Sequence, residues 1–435
     1  MRRKARKGGG KQQELTIESL GGRGDGVAGE AEQPVFVPFA LPGERVRVKL
    51  AGRSRAGVRG ELLEILSESP DRVAPPCPHF GPCGGCSVQH LDDVAYRRWT
   101  REQVVAGLTR RGFADPPVAE PVFIGARTRR RATLAARHRK SGVVLGFHGR
   151  ESHVIEDIQT CQVLTPGLMA ILPPLRAALA RVLDDSELAD VSLLESETGI
   201  AVLLASKTPP GLRAREALAG LAETCDLAGV FWHEAGAGDT GMPPEPVAVR
   251  RPAILHFGAI PVEPPPGGFV QPTQAGERVL IDAVTDWLGE GAGRVADLYA
   301  GVGTFTFPLS ATRRVHAVEG DQAAMAALWR AARKNDRAGR VTAEVRDLAS
   351  DPLTPDDLKA FNGVIFDPPR TGAKAQAQAL AASSVQTVAA VSCNPNTFGR
   401  DARILADGGY RLIDIRPVDQ FPWTGHVELV ACFRR

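Results

Sequence analysis

Four short apolar runs in the last third of the chain, each stopping where the backbone must turn, restrict the fold more than any other feature. The run Arg294-Val295-Ala296-Asp297-Leu298-Tyr299-Ala300-Gly301-Val302-Gly303 reads as a strand that ends in a glycine turn and leads into a candidate helix. A second strand, Val315 to Val318, ends in Glu319, and a third, Val364-Ile365-Phe366, runs into Asp367-Pro368-Pro369-Arg370-Thr371-Gly372. The prolines free that segment from ladder pairing and stiffen it. A fourth strand, Thr387 to Val391, delivers Ser392-Cys393-Asn394-Pro395. Strands in such alternation with helices predict an α/β Rossmann-like domain built on a mostly parallel sheet. Open parallel sheets bind ligands outside the carboxyl ends of their strands, so Tyr299, Glu319, Asp367 and Cys393 are expected to line one crevice.

The crevice has the character of a nucleoside site. Glu319 stands 16 residues after Gly303, where a carboxylate accepts hydrogen bonds from both hydroxyls of a ribose. The third glycine of the dinucleotide fingerprint is replaced by Thr306, which disfavours a pyrophosphate cofactor and leaves S-adenosylmethionine, a nucleoside without phosphate, as the better candidate. Upstream, Val279, Leu280, Ala283, Val284, Trp287 and Leu288 recur at helical spacing and predict one amphipathic helix from Thr273 to Gly289.

Punctuation divides the rest. A basic tail, residues 1–11, carries Arg2, Arg3, Lys4, Arg6, Lys7 and Lys11 and no acid. Short alternating runs from 12 to 70, among them Val35-Phe36-Val37 and Val46-Arg47-Val48-Lys49-Leu50, predict a small antiparallel, OB-like β-barrel of the kind that binds single-stranded nucleic acid, with Phe36 and Phe39 either on that face or in its core. A proline-rich junction near 70–78 and the break Pro264-Pro265-Pro266-Gly267-Gly268 enclose a mixed central domain, 71–266, and set off a catalytic domain, 267–435. The net charge is only +3, yet residues 95–150 hold 13 Lys and Arg against Glu102, Asp115 and Glu120. That imbalance implies a polyanionic partner. Nothing resembles an export signal or a membrane span, so a cytoplasmic location without membrane contact is expected.

Seven cysteines in such a chain read as thiols, ligands or nucleophiles rather than disulfides. Cys77, Cys83 and Cys86 form C-x5-C-x2-C, and Cys161 follows some 75 residues later. Four thiolates suit a [4Fe–4S] cluster. Zinc is the competing reading, with His79 or His90 able to replace one thiolate, although zinc sites more often show two close pairs. Cys225 and Cys432 have no partner pattern and read as packing residues.

Phe269-Val270-Gln271, the run from Asp297 to Gly303, Asp367-Pro368-Pro369-Arg370, Ser392-Cys393-Asn394-Pro395 and His426-Val427-Glu428-Leu429 occur in that order. Together with the N-terminal barrel (a TRAM domain) and the cysteine cluster, they make nearly the whole chain resemble the bacterial RNA uridine-5-methyltransferases, which form 5-methyluridine in ribosomal and transfer RNA. The resemblance implies that Cys393 is the nucleophile and Glu428 the general base, the latter on a final strand, Val427 to Phe433, lying antiparallel at the sheet end. It implies that Gln271 and Asp367 contact S-adenosylmethionine, with Tyr299 and Glu319 beside them and Thr304 and Asp347 at weaker matches. Family members acting on large-subunit ribosomal RNA carry the iron–sulfur motif, which favours 23S ribosomal RNA as substrate and leaves transfer RNA possible. A protein that grips one flipped base needs no second subunit, so a monomer is expected.

The chemistry asks for these residue types. Carbon 5 of uracil is too weak a nucleophile to attack a methyl sulfonium; a thiolate adding at carbon 6 converts the ring to an enolate whose carbon 5 can attack. A base must then remove the carbon 5 proton before the thiolate leaves. An RNA cytosine-5-methyltransferase would share this logic but carries its cysteine directly after Asp-x-Pro, where Arg370 stands. An exocyclic-amine methyltransferase would place an aromatic residue there. A non-catalytic RNA-binding assembly factor would not need Cys393, Glu428 and Gln271 intact. The basic run Arg127, Arg129, Arg130, Arg131, Arg137 and Arg139 is the expected RNA path, with about half of its side chains facing the ligand and Phe269 as a platform for the flipped ring.

Overall fold

A computed structural model describes residues 11–29, 32–54, 57–236, 243–288 and 293–435. Most of the basic tail, residues 1–10, lies outside them, as does Gly289. The catalytic sheet has eight strands in the order 341–345, 314–319, 294–298, 363–366, 387–392, 428–434, 411–419, 122–123. The first five are parallel. They read as unbroken apolar runs because helices cover both faces: Gly363–Phe366 is buried throughout, as is Thr387–Ser392 after its first residue. The strand order reverses beside Arg294–Leu298, which pairs with Arg314–Glu319 on one side and Gly363–Phe366 on the other. That reversal opens the crevice at the carboxyl ends of the strands.

Glu428–Arg434 runs antiparallel to both neighbours. It is not at the sheet's end, as the sequence suggested, because Arg411–Asp419 and Val122–Phe123 extend the sheet beyond it. The helix expected after the glycine turn is only Thr306–Ser310, cut short by the strand that begins at Arg314. The predicted amphipathic helix forms over Gln274–Leu288, burying Leu280, Ala283, Val284 and Trp287 against the sheet.

The catalytic core also draws on sequence ahead of the 264–268 break. The helix Asp93–Thr109 packs on Pro395–Asp407, and Val104, Leu108 and Val118 join the core of the catalytic sheet. The two helices cross where neither has a side chain: a Cβ on Gly399 would stand 2.4 Å from Gly107 O, and one on Gly107 would stand 2.6 Å from Pro395 O. The remainder of the central segment forms a seven-stranded sheet with the helices Pro166–Val182 and Leu212–Thr224 packed over its core.

The N-terminal strands form a six-stranded sheet whose edges are Gln12–Thr16 and Ser19–Leu20. Only Ile17 and Glu18 separate these two strands, so the sheet curls until its edges nearly meet. Ile17 N bonds to Glu44 O and Glu18 N to Val27 O, so each edge strand's own ladder continues up to the seam. The half-barrel is not purely antiparallel, since Val35–Pro38 pairs in parallel with Gly57–Ser67. Phe39 adopts φ 66° and packs edge-on to Phe80, outside the core of the half-barrel.

Candidate active site and cysteine cluster

The ladder between Thr387–Ser392 and Glu428–Arg434 ends with Ser392 opposite Leu429. Cys393 and Glu428 are the next residues beyond that ladder end, close enough that the Glu428 carboxylate opposes ionisation of the thiol. Cys393 also immediately precedes Asn394, whose side chain caps the helix Pro395–Asp407 by accepting from Asn396 N at 3.0 Å. Proline at the first helical position suits this sharp exit from strand to helix.

The electrostatics of the pair are set by burial. Burial pushes the Cys393 thiol up to about 11, and the carboxylates of Glu428 and Asp367 add to the shift while Arg370 opposes it. The positive end of the following helix acts in the same direction as Arg370. Glu428 is 4 % exposed, and burial, then Asp367, holds its carboxyl well above the ordinary range. Arg370 Nη2 lies 2.7 Å from the ring nitrogens of His426. Burial and then Arg370 lower His426 to about 4, so the ring is neutral and accepts from the guanidinium.

Gln271 and Asp367 meet in the crevice: Gln271 Nε2 donates to Asp367 Oδ2 at 3.0 Å. Gln271 Oε1 accepts from Gln420 Nε2 at 3.0 Å, and Gln420 Oε1 accepts from Thr273 Oγ1 at 2.9 Å. Burial, then Asp297, raises Asp367 to about 7. Asp297 is fully buried and likewise raised to about 7 by burial, with one oxygen held by Thr306 Oγ1 at 2.6 Å and the other unpartnered. Tyr299 ends its strand at φ 61°, a conformation a non-glycine residue holds only when its surroundings require it. Glu319 uses one lone pair on each oxygen, accepting from Gly301 N and Asp321 N at 2.8 Å, which leaves each oxygen a further acceptor site. The donor set therefore fits the nucleoside end of S-adenosylmethionine. Thr304 is half-buried in the glycine turn. Asp347 is exposed just past Val341–Val345 and binds its own turn through Ala349 N and Ser350 Oγ. Gln420, Arg370 and His426 were not legible as parts of this network; Gln420 in particular lies in no recognisable pattern.

Cys77, Cys83, Cys86 and Cys161 come together from two distant segments. All four are half-buried, and burial followed by the neighbouring thiols raises Cys86 to about 12. Gly85 N and Val163 N approach the sulfurs of Cys83 and Cys161 at 3.4 Å. Among the described residues no group of three or more His, Cys, Asp or Glu is gathered tightly enough for a single metal ion. His79 has one ring nitrogen on Glu156 and the other accepting from Gln159 N, and His90 is buried against Phe39 and Phe80 with neither ring nitrogen hydrogen-bonded. Cys432 is a core residue and Cys225 packs beside the central core.

The basic run divides differently from expectation. Arg130 is buried in an ion pair with Glu277 at 2.7 Å, Arg129 turns inward beside Cys161 and Cys86 with its guanidinium on Phe421, and Arg131 lies over the exposed ring of Phe269 at 5.1 Å. Arg127, Arg137 and Arg139 are exposed. Among the described residues no helix is long and apolar enough to cross a membrane.

Comparison with known proteins agrees with this geometry. The sequence profile described as tRNA (Uracil-5-)-methyltransferase matches residues 262–435, and that of the TRAM domain matches residues 6–63. An uncharacterized RNA methyltransferase of Brucella suis is 42% identical over 96% of this chain and 97% of its own length. The 23S rRNA (uracil(1939)-C(5))-methyltransferase of Chromohalobacter salexigens is 35% identical over 97% of this chain and 89% of its own. The fold matches the tRNA (uracil-54, C5)-methyltransferase of Pyrococcus abyssi, solved with S-adenosyl-L-homocysteine, at a TM-score of 0.76 and 23% identity, covering 97% of this chain and 99% of that one.

Proposed function

The chain belongs to the RNA uracil-5-methyltransferase family and uses S-adenosylmethionine to methylate carbon 5 of uridine, and from that premise we propose a covalent route through Cys393 on 23S ribosomal RNA. The observation that carries the route is the ladder end, Ser392 opposite Leu429, beyond which Cys393 and Glu428 lie close enough for the carboxylate to act on the thiol. S-adenosylmethionine, bound by Gln271, Tyr299, Glu319 and Asp367 with Thr304 and Asp347 at the rim, supplies an electrophilic methyl group. Everything else is done by side chains of the chain. The Cys393 thiolate adds to carbon 6 and loads negative charge onto the ring toward its carbonyl oxygen, which makes carbon 5 nucleophilic. Arg370, held by His426, offsets negative charge near the thiolate. After carbon 5 has accepted the methyl group, ionised Glu428 takes its proton, the electrons of that C–H bond form the 5,6 double bond, and Cys393 departs as thiolate.

Cys77, Cys83, Cys86 and Cys161 are proposed to hold a [4Fe–4S] cluster. What supports the reading is that Cys77, Cys83 and Cys161 lie near enough to Cys86 for all three to oppose its ionisation. Methyl transfer requires no electron, so the cluster's role is to order the loop and position RNA. Anaerobically purified protein is expected to show the visible charge-transfer absorbance of iron thiolates, and colourless protein with stoichiometric zinc would refute the assignment. The exposed basic surface and the TRAM half-barrel favour RNA as the partner of a monomer working in the cytoplasm.

The covalent route is tested with RNA containing 5-fluorouridine. Fluorine replaces the proton that Glu428 must remove, so the adduct stalls after methyl transfer. Mass analysis of digested protein should find methylated fluorouridine on the peptide containing Cys393. RNA bound without any covalent adduct would instead indicate a binding factor.

A further inference from the structure

The loop 420–427, which joins Arg411–Asp419 to Glu428–Arg434, is held by three separate parts of the chain. From the cysteine segment, Ser87 N and Val88 N donate to Trp423 O at 2.7 and 3.1 Å. From the half-barrel, the turn at Gly22 and Arg23 presses on Gly425 so closely that a Cβ there would come within 2.3 Å of Gly22 O. From the helix Asp93–Thr109, Tyr96 reaches into the loop. Its Oη donates to Asp419 Oδ2 at 2.9 Å and accepts from Trp423 N at 2.9 Å. Tyr96 and Asp419 are 6% and 3% exposed, so water does not replace either bond.

Trp423 has φ 59°, a backbone conformation that a bulky residue keeps only when it is held there. Its ring packs with Leu41, Val88, Leu91, Tyr96 and Trp99. Asp419 closes one strand and Glu428 opens the next, with Val418 paired to Glu428. A shift at either end of the loop therefore moves the carboxylate relative to Cys393.

We propose that Tyr96 is a positioning residue for the proton-removal step: by tying Asp419 to the strained Trp423, it fixes where Glu428 emerges near Cys393. The inference rests on the reading of Glu428 as the base. A tether of this kind acts on the late step of the reaction. Thiolate addition and methyl transfer depend on Cys393, which Tyr96 does not touch, and on loop residues that have holds of their own, Gln420 on Gln271 and Thr273 and His426 on Arg370. The half-barrel and the cysteine segment dock on the same loop, so RNA-contacting parts of the chain and the base share one support.

The test is Tyr96→Phe, which keeps the ring against Trp99 and Phe123 and removes only the hydroxyl. With unmodified RNA, kcat should fall about tenfold or more, the penalty of a small misplacement of a reacting group. KM for RNA and for S-adenosylmethionine should fall along with kcat and leave kcat/KM within about twofold of wild type, because the block lies after the irreversible methyl transfer. A methylated protein–RNA adduct should accumulate at steady state, seen as a shifted band on a denaturing gel. Asp419→Asn keeps an acceptor for Tyr96 and should behave as wild type, whereas Asp419→Ala should reproduce Tyr96→Phe and serves in its place if that variant does not fold. A lowered melting temperature without adduct, or a raised KM with unchanged kcat, would show that Tyr96 only supports the fold and would overturn the proposal. Glu428→Gln is run alongside. If it accumulates adduct and Tyr96→Phe does not, the inference fails alone; if Glu428→Gln accumulates none, the reading of Glu428 as the base fails and takes the inference with it.

Discussion

Cys393 and Glu428 share a difficulty that sets the pH dependence of the reaction: burial makes the ionised form of each costly, yet each must ionise to act. With the Cys393 thiol pushed to about 11 from an ordinary value of 9.0, its thiolate fraction below that value rises about tenfold per pH unit. Glu428, also raised, gains its working carboxylate in the same direction. The account therefore predicts that kcat/KM climbs continuously from about pH 6 to pH 9. A profile already flat below pH 8 would mean that the thiol is ionised in the free protein, and that Arg370 and the helix end outweigh burial. At this scale the sequence was most informative where residue type is dictated by chemistry. Cys393, Asp367 and Glu319 each sit at a strand end, and period and motif locate strand ends well. It said nothing of Gln420, whose role depends on a side chain meeting Gln271 across 149 positions of chain, nor of the inward turn of Arg129, which depends on where the cysteines fold.

Among elements, the helix Pro395–Asp407 begins two residues after the nucleophile and leans on Asp93–Thr109 at the Gly107–Gly399 crossing. Gly399→Ala should push these helices apart, because the added Cβ would lie 2.4 Å from Gly107 O. Overpacking of this kind costs about 1–3 kcal/mol. The expected result is a lower melting temperature together with a reduced kcat, and unchanged melting would show that the crossing tolerates displacement. The parallel strands and the helix Gln274–Leu288 were legible because their apolar periods are strong. The crossing was not, since Gly107 and Gly399 look unremarkable until two helices from opposite ends of the chain meet. For the same reason the sheet's last strands were misjudged: Val122–Phe123 is two residues long, far too short for a periodic signal, and joins the sheet only through a long-range pairing.

For the molecule as a whole, the RNA path is narrower than charge alone suggested, because Arg130 is spent on Glu277 and Arg129 faces the cysteines. Arg127 is exposed, and Arg131 lies over Phe269, two residues from Gln271. Neutralising both should raise KM for RNA and flatten its salt dependence by roughly one unit of log–log slope per lost phosphate contact, with S-adenosylmethionine affinity unchanged. A wild-type salt slope would move the path to the half-barrel. The central claim is that carbon 5 of uridine is methylated by way of Cys393, and it makes the carbon 5 hydrogen an accounting label. With RNA tritiated at carbon 5 of uridine, the measurement is tritium released to water against methyl groups gained by RNA. The account predicts one tritium released per methyl group with the wild-type protein and neither event with Cys393→Ala, although that variant still binds S-adenosylmethionine. Methyl transfer without tritium release, or release and transfer that survive in Cys393→Ala, would contradict it.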